Sequence, residues 1–308
     1  MQMITATRWQ QALSPYLPQA WMRELAGLDE QTQAQLQEIR LRSGAPVMLT
    51  VKGRSRLLRD QPPLICSQDD LEALFLAACD YSPSSRSEQI RRGYLLLRGG
   101  FRMGLSGRCL QAGEGIRAIH PVTAANIRIL REIHGAARHV LPQIRRPGGI
   151  YNTLIMAPPG GGKTTLLRDM IRMLSDGLDG KEGMRMGVVD ERGELAGSVM
   201  GVPTLDIGRQ SDVLDGCSKA EGMRLMIRSM APQVIAVDEL GGMEDGAALA
   251  EAARCGVSVI ATAHGAGMAD LQRPQLRPLA EQGVFQRVVL LGAVPGGAAV
   301  VERLETRP

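Results

Sequence analysis

Residues 156–170 read MAPPGGGKTTLLRDM, and this stretch decides how the remainder of the chain is read. The apolar run before it, Tyr151 to Met156, has the length and composition of a buried strand, and the Leu-rich segment after it has helical spacing. A strand, a Gly-rich loop and a helix in that order form the context of a phosphate-binding loop. From Ala157 through Gly162, Lys163 and Thr164 the spacing fits G-x-x-x-x-G-K-[ST], with Ala in place of the first Gly.

The residue types suit that chemistry. Pro158 and Pro159 stiffen the approach, and Gly160, Gly161 and Gly162 let successive N–H groups turn inward toward phosphate oxygens, helped by the helix N-terminus. Lys163 is expected to reach the β and γ phosphates of a nucleoside triphosphate, and the Thr164 hydroxyl to ligate magnesium. The expected nucleotide-binding set is therefore Pro159, Gly160, Gly161, Gly162, Lys163, Thr164 and Thr165. The plainer alternative is a Gly-rich turn with an incidental Lys.

Downstream, YNTLIM, RMGVVD, QVIAVD, VSVIAT and QRVVLL alternate with helical stretches, which argues an α/β fold with a mainly parallel sheet covered on both faces. Ligands of such folds sit at the carboxyl ends of the strands, and chemically active residues lie there. QVIAVDEL has the form of a Walker B strand, placed about 75 residues beyond the loop. Asp238 is expected to hold magnesium through water, and Glu239 to act as the catalytic base, a contribution of about 10²–10⁴ in rate. A strand ending in Asp-Glu also serves simply to cap the following helix.

GVVDERGELAG offers a second acidic cluster, with Glu191 and Glu194 as candidates to orient water or metal; a salt-bridging turn around Arg192 is the other reading. His264, after IATA, is placed to sense a γ-phosphate or to serve as a structural residue. Arg209, Arg224 and Arg228 are candidates for an arginine finger, with Arg228 first because MIRSMAPQVIAVDE keeps it near the Walker B strand; for any single one of them a structural role is the leading reading.

The first half differs in kind. Among the 308 residues, positions 1–146 carry 20 Lys+Arg and 12 Asp+Glu, net +8, whereas 147–308 carry 16 and 20, net −4. Residues 17–37 read as one or two helices, EIRLR, PVMLTV and SRLLR as strands, and Gln68 to Tyr81 as a helix. YLLLRGG, FRMGLSGRCLQ and GIRAIH suggest a small antiparallel sheet, followed by a helix from about Ala124 to Ile133. The two Pro and two Gly of 142–150, PQIRRPGGI, suggest a linker, so the expected domains are an α+β domain at 1–146 and a nucleotide-binding domain at 147–308.

The Arg-rich first half fits nucleic acid or an anionic membrane, or else the solvated faces of strands or Arg forks meeting carboxylates of a neighbouring acidic domain or subunit; the scarcity of aromatics and of long basic runs favours the second pair of readings. Five scattered cysteines, with no C-x-x-C, read as small buried residues in a reducing cytosol. MQMITATRWQ has no basic flank leading into an apolar core, and Val288 to Val301 is too short to span a bilayer, so the expected location is cytoplasmic, peripheral to a membrane at most.

APPGGGKTTLLRD, VVDERGELAG, IRSMAPQVIAVDELGG and ATAHG, with EIRLRSGAPV, QIRRGYLLLRGGFRMGLSGR and NIRILREI upstream, give the chain from Glu38 to Leu291 a resemblance to the stage III sporulation AA family, within the secretion ATPases of types II and IV. The resemblance implies a RecA-like P-loop ATPase core behind a smaller N-terminal domain, binding ATP and Mg2+ and forming a homo-oligomeric ring, a hexamer. It also implies a position on the mother-cell side of a membrane-embedded channel joining mother cell to forespore, which the ring would power or gate. VVDERGE takes the place of the family's acidic box, here with Asp190 before Glu191 where relatives show Glu before Asp, and ATAHG that of its His box. Two rival readings of the same core stay open: a motor stimulated by nucleic acid, and a scaffold locked by ATP with little turnover.

Overall fold

The computed structural model describes residues 7–112, 115–129, 133–178, 180–198, 201–292 and 299–304. The chain divides into two compact units, one extending to Arg131 and the other beginning at Glu132.

The first unit opens with three short helices, α1 (Thr7–Leu13), α2 (Gln19–Ala26) and α3 (Glu30–Gln35). Trp21 and Leu25, four apart on α2, share its buried face. A six-stranded antiparallel sheet follows: β1 (Leu36–Arg42), β2 (Met48–Val51), β3 (Arg54–Leu57), β4 (Tyr94–Leu96), β5 (Arg102–Ala112) and β6 (Gly115–Arg128), in the order β3-β2-β1-β6-β5-β4. Helix α4 (Gln68–Ala78) starts where Ser67 and Asp70 form a reciprocal capping box, and α5 (Ser87–Arg91) precedes β4. Helical Trp9, Trp21, Leu74 and Phe75 close one core with Ile39, Leu41, Met103 and Ile127 of the sheet.

Two expectations change here. The helix expected from Ala124 is the end of β6, paired to β1 on one side and β5 on the other. Ala125, Ile127 and Ile129 are buried while Arg128 is exposed, so a period of two governs the segment. Positions 130–132 of that expected helix lie outside the described residues. Cys66 and Cys79 are buried as expected, but Cys109 and Cys255 are exposed.

The second unit is built on β7 (Thr153–Ala157), β8 (Met186–Asp190), β9 (Ser211–Asp215), β10 (Val234–Val237), β11 (Ser258–His264), β12 (Arg287–Leu290) and β13 (Val300–Arg303), in the order β9-β8-β10-β11-β7-β12-β13. All neighbours are parallel except β13, which runs antiparallel along the edge. β7, β8 and β10 are buried throughout, as strands covered on both faces must be. One face carries α7 (Lys163–Asp176), whose Leu167, Met170 and Leu174 pack on Ile155, Val188 and Ile260. The other carries α8 (Lys219–Met230) and α9 (Met243–Arg254), with Met223, Met226 and Leu249 against Leu154, Val189 and Val259.

The stretch expected to be a linker is part of this unit. Leu141–Ile144 form a helical turn, α6, 145–146 and 149–150 pair as a short ribbon, and Leu141, Ile144 and Ile150 are buried with Ile155 and Leu167. The division between units consequently falls near 131, ahead of the 146 read from composition. Among the described residues no helix is long and apolar enough to cross a membrane.

Candidate functional site

Parallel strands deliver their carboxyl ends to one edge of the sheet, and four of them meet there: β7 leading into the Gly-rich loop, β8 ending at Asp190, β10 followed by Asp238 and Glu239, and β11 ending at His264. The loop between β7 and α7 is glycine by necessity. Gly160 and Gly162 sit at φ +73° and +89°, the left-handed region. A Cβ at Gly161 would lie 2.8 Å from the Ala157 Cβ and 3.0 Å from the Pro158 carbonyl oxygen, so Ala157, the departure from the usual pattern, packs directly against the loop it begins. Pro159 and Gly160 form the exposed crest, Lys163 opens α7, and Thr164 and Thr165 lie half-buried in its first turn. No side chain caps that helix, which leaves its N-terminus to other acceptors.

Lys163 is buried, and its ammonium points back into the loop, 3.3 Å from the Ala157 carbonyl, 3.5 Å from that of Pro158 and 3.2 Å from His264 Nδ1. Burial pulls its pKa below the ordinary lysine value, against the opposing pull of the Asp238 and Glu239 carboxylates. An ammonium only donates, so His264 Nδ1 accepts and the ring proton is assigned to Nε2, which lies 3.4 Å from Glu239 Oε1.

Both Asp238 oxygens receive hydroxyl groups: Thr164 Oγ1 donates to Oδ2 at 2.6 Å, and Thr262 Oγ1 to Oδ1. Glu239 stands at φ +55°, unusual for a side chain of its size, and its N–H donates to Thr262 Oγ1 at 2.8 Å. Its second carboxylate oxygen, Oε2, accepts from Arg192 Nη1 at 2.6 Å. Arg192, Glu239, His264 and Lys163 thus form one polar chain across the strand ends.

The acidic turn after β8 separates into distinct parts. Asp190 is 2% exposed and accepts the backbone N–H groups of Glu194, Leu195 and Ala196 at 2.9, 3.1 and 2.8 Å. Burial raises its pKa even so. Arg168 of α7 ties down the same turn through the Glu194 and Leu195 carbonyls. Glu191 points to the Lys219 ammonium at the start of α8. The two carboxylates at the strand end are therefore engaged with backbone and with lysine respectively.

The arginines singled out on the sequence lie elsewhere in this unit. Arg209 contacts Asp176 at the far end of α7, and Arg224 contacts Glu251 on α9 at 3.2 Å. Arg228 is exposed in the last turn of α8, which leads into the start of β10, the opposite end of that strand from Asp238. Arg192 and Thr262, by contrast, stand in the site and drew no functional reading beforehand. A hydroxyl in the apolar run VSVIAT, wholly buried, is the signal that marks Thr262.

The arrangement can hold an anion against the loop N–H groups and Lys163. The oxygen pair of Thr164 and Asp238, already in contact, suits a hard divalent cation.

The family described as "Sporulation stage III, protein AA" matches residues 10–305. Stage III sporulation protein AA of Bacillus subtilis is 39% identical over 289 residues, covering 94% of this chain and 92% of the relative. Among solved structures, the pilus retraction motor PilT with bound ADP is similar with a TM-score of 0.63 at 18% identity, over 88% of this chain and 80% of that one. The ATPase DotB of Legionella pneumophila is similar with a TM-score of 0.58 at 16% identity, over 97% and 80%. At such identities the likeness is one of fold, a RecA-like α/β fold.

Proposed function

The chain belongs to the family of sporulation stage III protein AA, and from that premise we propose that it is a Mg2+-dependent ATPase. In this reading it works as an oligomeric ring that powers or gates a channel complex between mother cell and forespore. The observation that carries the reading is the convergence of Lys163, Thr164, Asp238 and Glu239 on one sheet edge, with Thr164 hydrogen-bonded to Asp238 at 2.6 Å, in a fold shared with ATPases.

Lys163 exchanges the Ala157 and Pro158 carbonyls for phosphate oxygens, while Gly160, Gly161 and Gly162 offer their N–H groups. Thr164 and Asp238, already in contact, are the residues that would hold the magnesium ion. When bound, that ion supplies positive charge against the phosphates. Glu239 accepts a proton from the attacking water, and His264 orients between Glu239 and Lys163. Glu191, fixed by Lys219, shapes the adjoining wall. Arg228, exposed and remote from its own site, is available to a neighbouring subunit in the ring. Attachment to a membrane goes through embedded channel proteins.

The test is steady-state ATP hydrolysis with magnesium over a range of protein concentrations, for wild type, Lys163→Ala and Glu239→Gln. The expected result is activity that rises more than linearly with concentration and is lost in both variants, with Glu239→Gln still binding ATP. Nucleotide bound by the wild type without turnover at any concentration would point instead to an ATP-locked scaffold; marked stimulation by single-stranded nucleic acid would point to the nucleic-acid motor.

A further inference from the structure

A nucleotide-hydrolysing site needs a guanidinium or similar cation to meet charge on the terminal phosphate. Arg209 and Arg224 are paired with carboxylates elsewhere in the fold, and Arg228 is exposed by the end of β10 opposite Asp238, yet an arginine does stand at the strand ends. Arg192 lies two residues beyond β8, and its Nη1 is 2.6 Å from Glu239 Oε2. Its side chain is 55% exposed, and among the described residues Glu239 is its one recorded partner, so most of its donor fork faces outward.

The backbone beneath it is held firmly. Asp190 accepts three N–H groups from the same turn, and Arg168 clasps two of the turn's carbonyls. The main chain at Arg192 is anchored on both sides while its side chain is exposed, a combination suited to swinging one guanidinium between two anions.

Glu239 is in the complementary situation. One carboxylate oxygen is taken by Arg192 and the other faces His264 Nε2, whose opposite nitrogen bonds Lys163. A carboxylate engaged at both oxygens is a poor proton acceptor for water. The terminal phosphate of a bound triphosphate carries more charge than a carboxylate and matches the guanidinium fork bidentately.

Resting on the ATPase reading above, we propose that Arg192 is the arginine of the same chain that meets the terminal phosphate. It leaves Glu239 to do so, and that departure frees Glu239 to face the attacking water. A triphosphate makes this exchange; a diphosphate, which has no terminal γ-group, leaves Arg192 on Glu239.

The experiment measures binding as well as rate. Full-length wild type, Arg192→Ala, Arg192→Lys and Lys163→Ala are titrated with ADP and, separately, with ATPγS, both with magnesium, and kcat and KM for ATP are measured in parallel. Arg192→Ala is expected to bind ADP within about twofold of wild type and ATPγS on the order of tenfold more weakly, with lower kcat, since hydrogen bonds to charged groups carry that much discrimination. Arg192→Lys recovers part of the ATPγS affinity. Equal losses for ADP and ATPγS, or no change in either, would overturn the assignment and leave Arg192 a surface ion pair. The ATPase reading is judged separately by wild type and Lys163→Ala: nucleotide binding with turnover by the first and the loss of both in the second uphold it whatever Arg192 does, and no binding by wild type sinks both.

Discussion

At Asp190 a carboxylate 2% exposed accepts three backbone N–H bonds, and burial still leaves its pKa above the ordinary 3.8. The folded state therefore holds its proton more tightly than the unfolded chain does. Its contribution to stability is complete below pH 3.8 and diminishes as pH rises through the folded value. Asp190→Asn places an amide N–H2 against donors and is expected to cost about 1–3 kcal/mol in urea unfolding, with the cost smaller at pH 7 than near pH 3.8. A cost independent of pH would show that the carboxyl does not titrate abnormally. Asp190 and Glu191 are neighbours with unlike duties, and VVDERGELAG names the cluster without dividing it. What divides it, three N–H groups on one side and Lys219 on the other, is fixed by where the turn folds and where α8 begins. Lys163, Thr164, Asp238 and Glu239 were legible because their spacing is local to one strand and one loop. Arg192 was not, because its partner lies 47 positions away.

Elements were legible where a segment settles its own structure. Helix α4 is such a case: Ser67 and Asp70 cap each other's backbone, and Leu71, Leu74, Phe75 and Ala78 follow at helical spacing on the buried face. Ser67→Ala is expected to lower stability by about 1 kcal/mol, read as a lower Tm, and to leave nucleotide binding unaltered. A nucleotide-binding defect in that variant would contradict the assignment of α4 to scaffolding. The segment 124–133 shows the opposite case. Ala124, Ala125 and Asn126 carry no strong strand preference, and only pairing with β1 and β5, far off in sequence, holds them extended. β9 was passed over for a related reason, since Ser211–Asp215 is an edge strand with partly exposed, polar positions rather than an apolar run.

Across the whole molecule, moving the division to 131 recasts the charge asymmetry. The first unit has 17 basic and 11 acidic residues, net +6, and the second 19 and 21, net −2. If opposite charge helps to hold the proposed ring, raising salt to about 1 M, where the screening length falls to about 3 Å, dissociates it in analytical ultracentrifugation. An oligomer indifferent to salt would assign assembly to apolar contact. The thiols offer a second global check. Burial pushes Cys66 and Cys79 up to about 11, whereas Cys109 and Cys255 are exposed. At pH 8 a thiol reagent should modify Cys109 and Cys255 rapidly, Cys217 more slowly, and Cys66 and Cys79 only on unfolding. Rapid reaction at all five would mean the first unit's core is open. The contacts that Lys163 makes with Ala157 and Pro158, at 3.3 and 3.5 Å, lie near the long limit for hydrogen bonds. In the proposed cycle they give the buried cation a perch between loads, strong enough that the emptied loop keeps its shape and weak enough that an arriving phosphate displaces it. Such a site is built for repetition rather than for tight keeping.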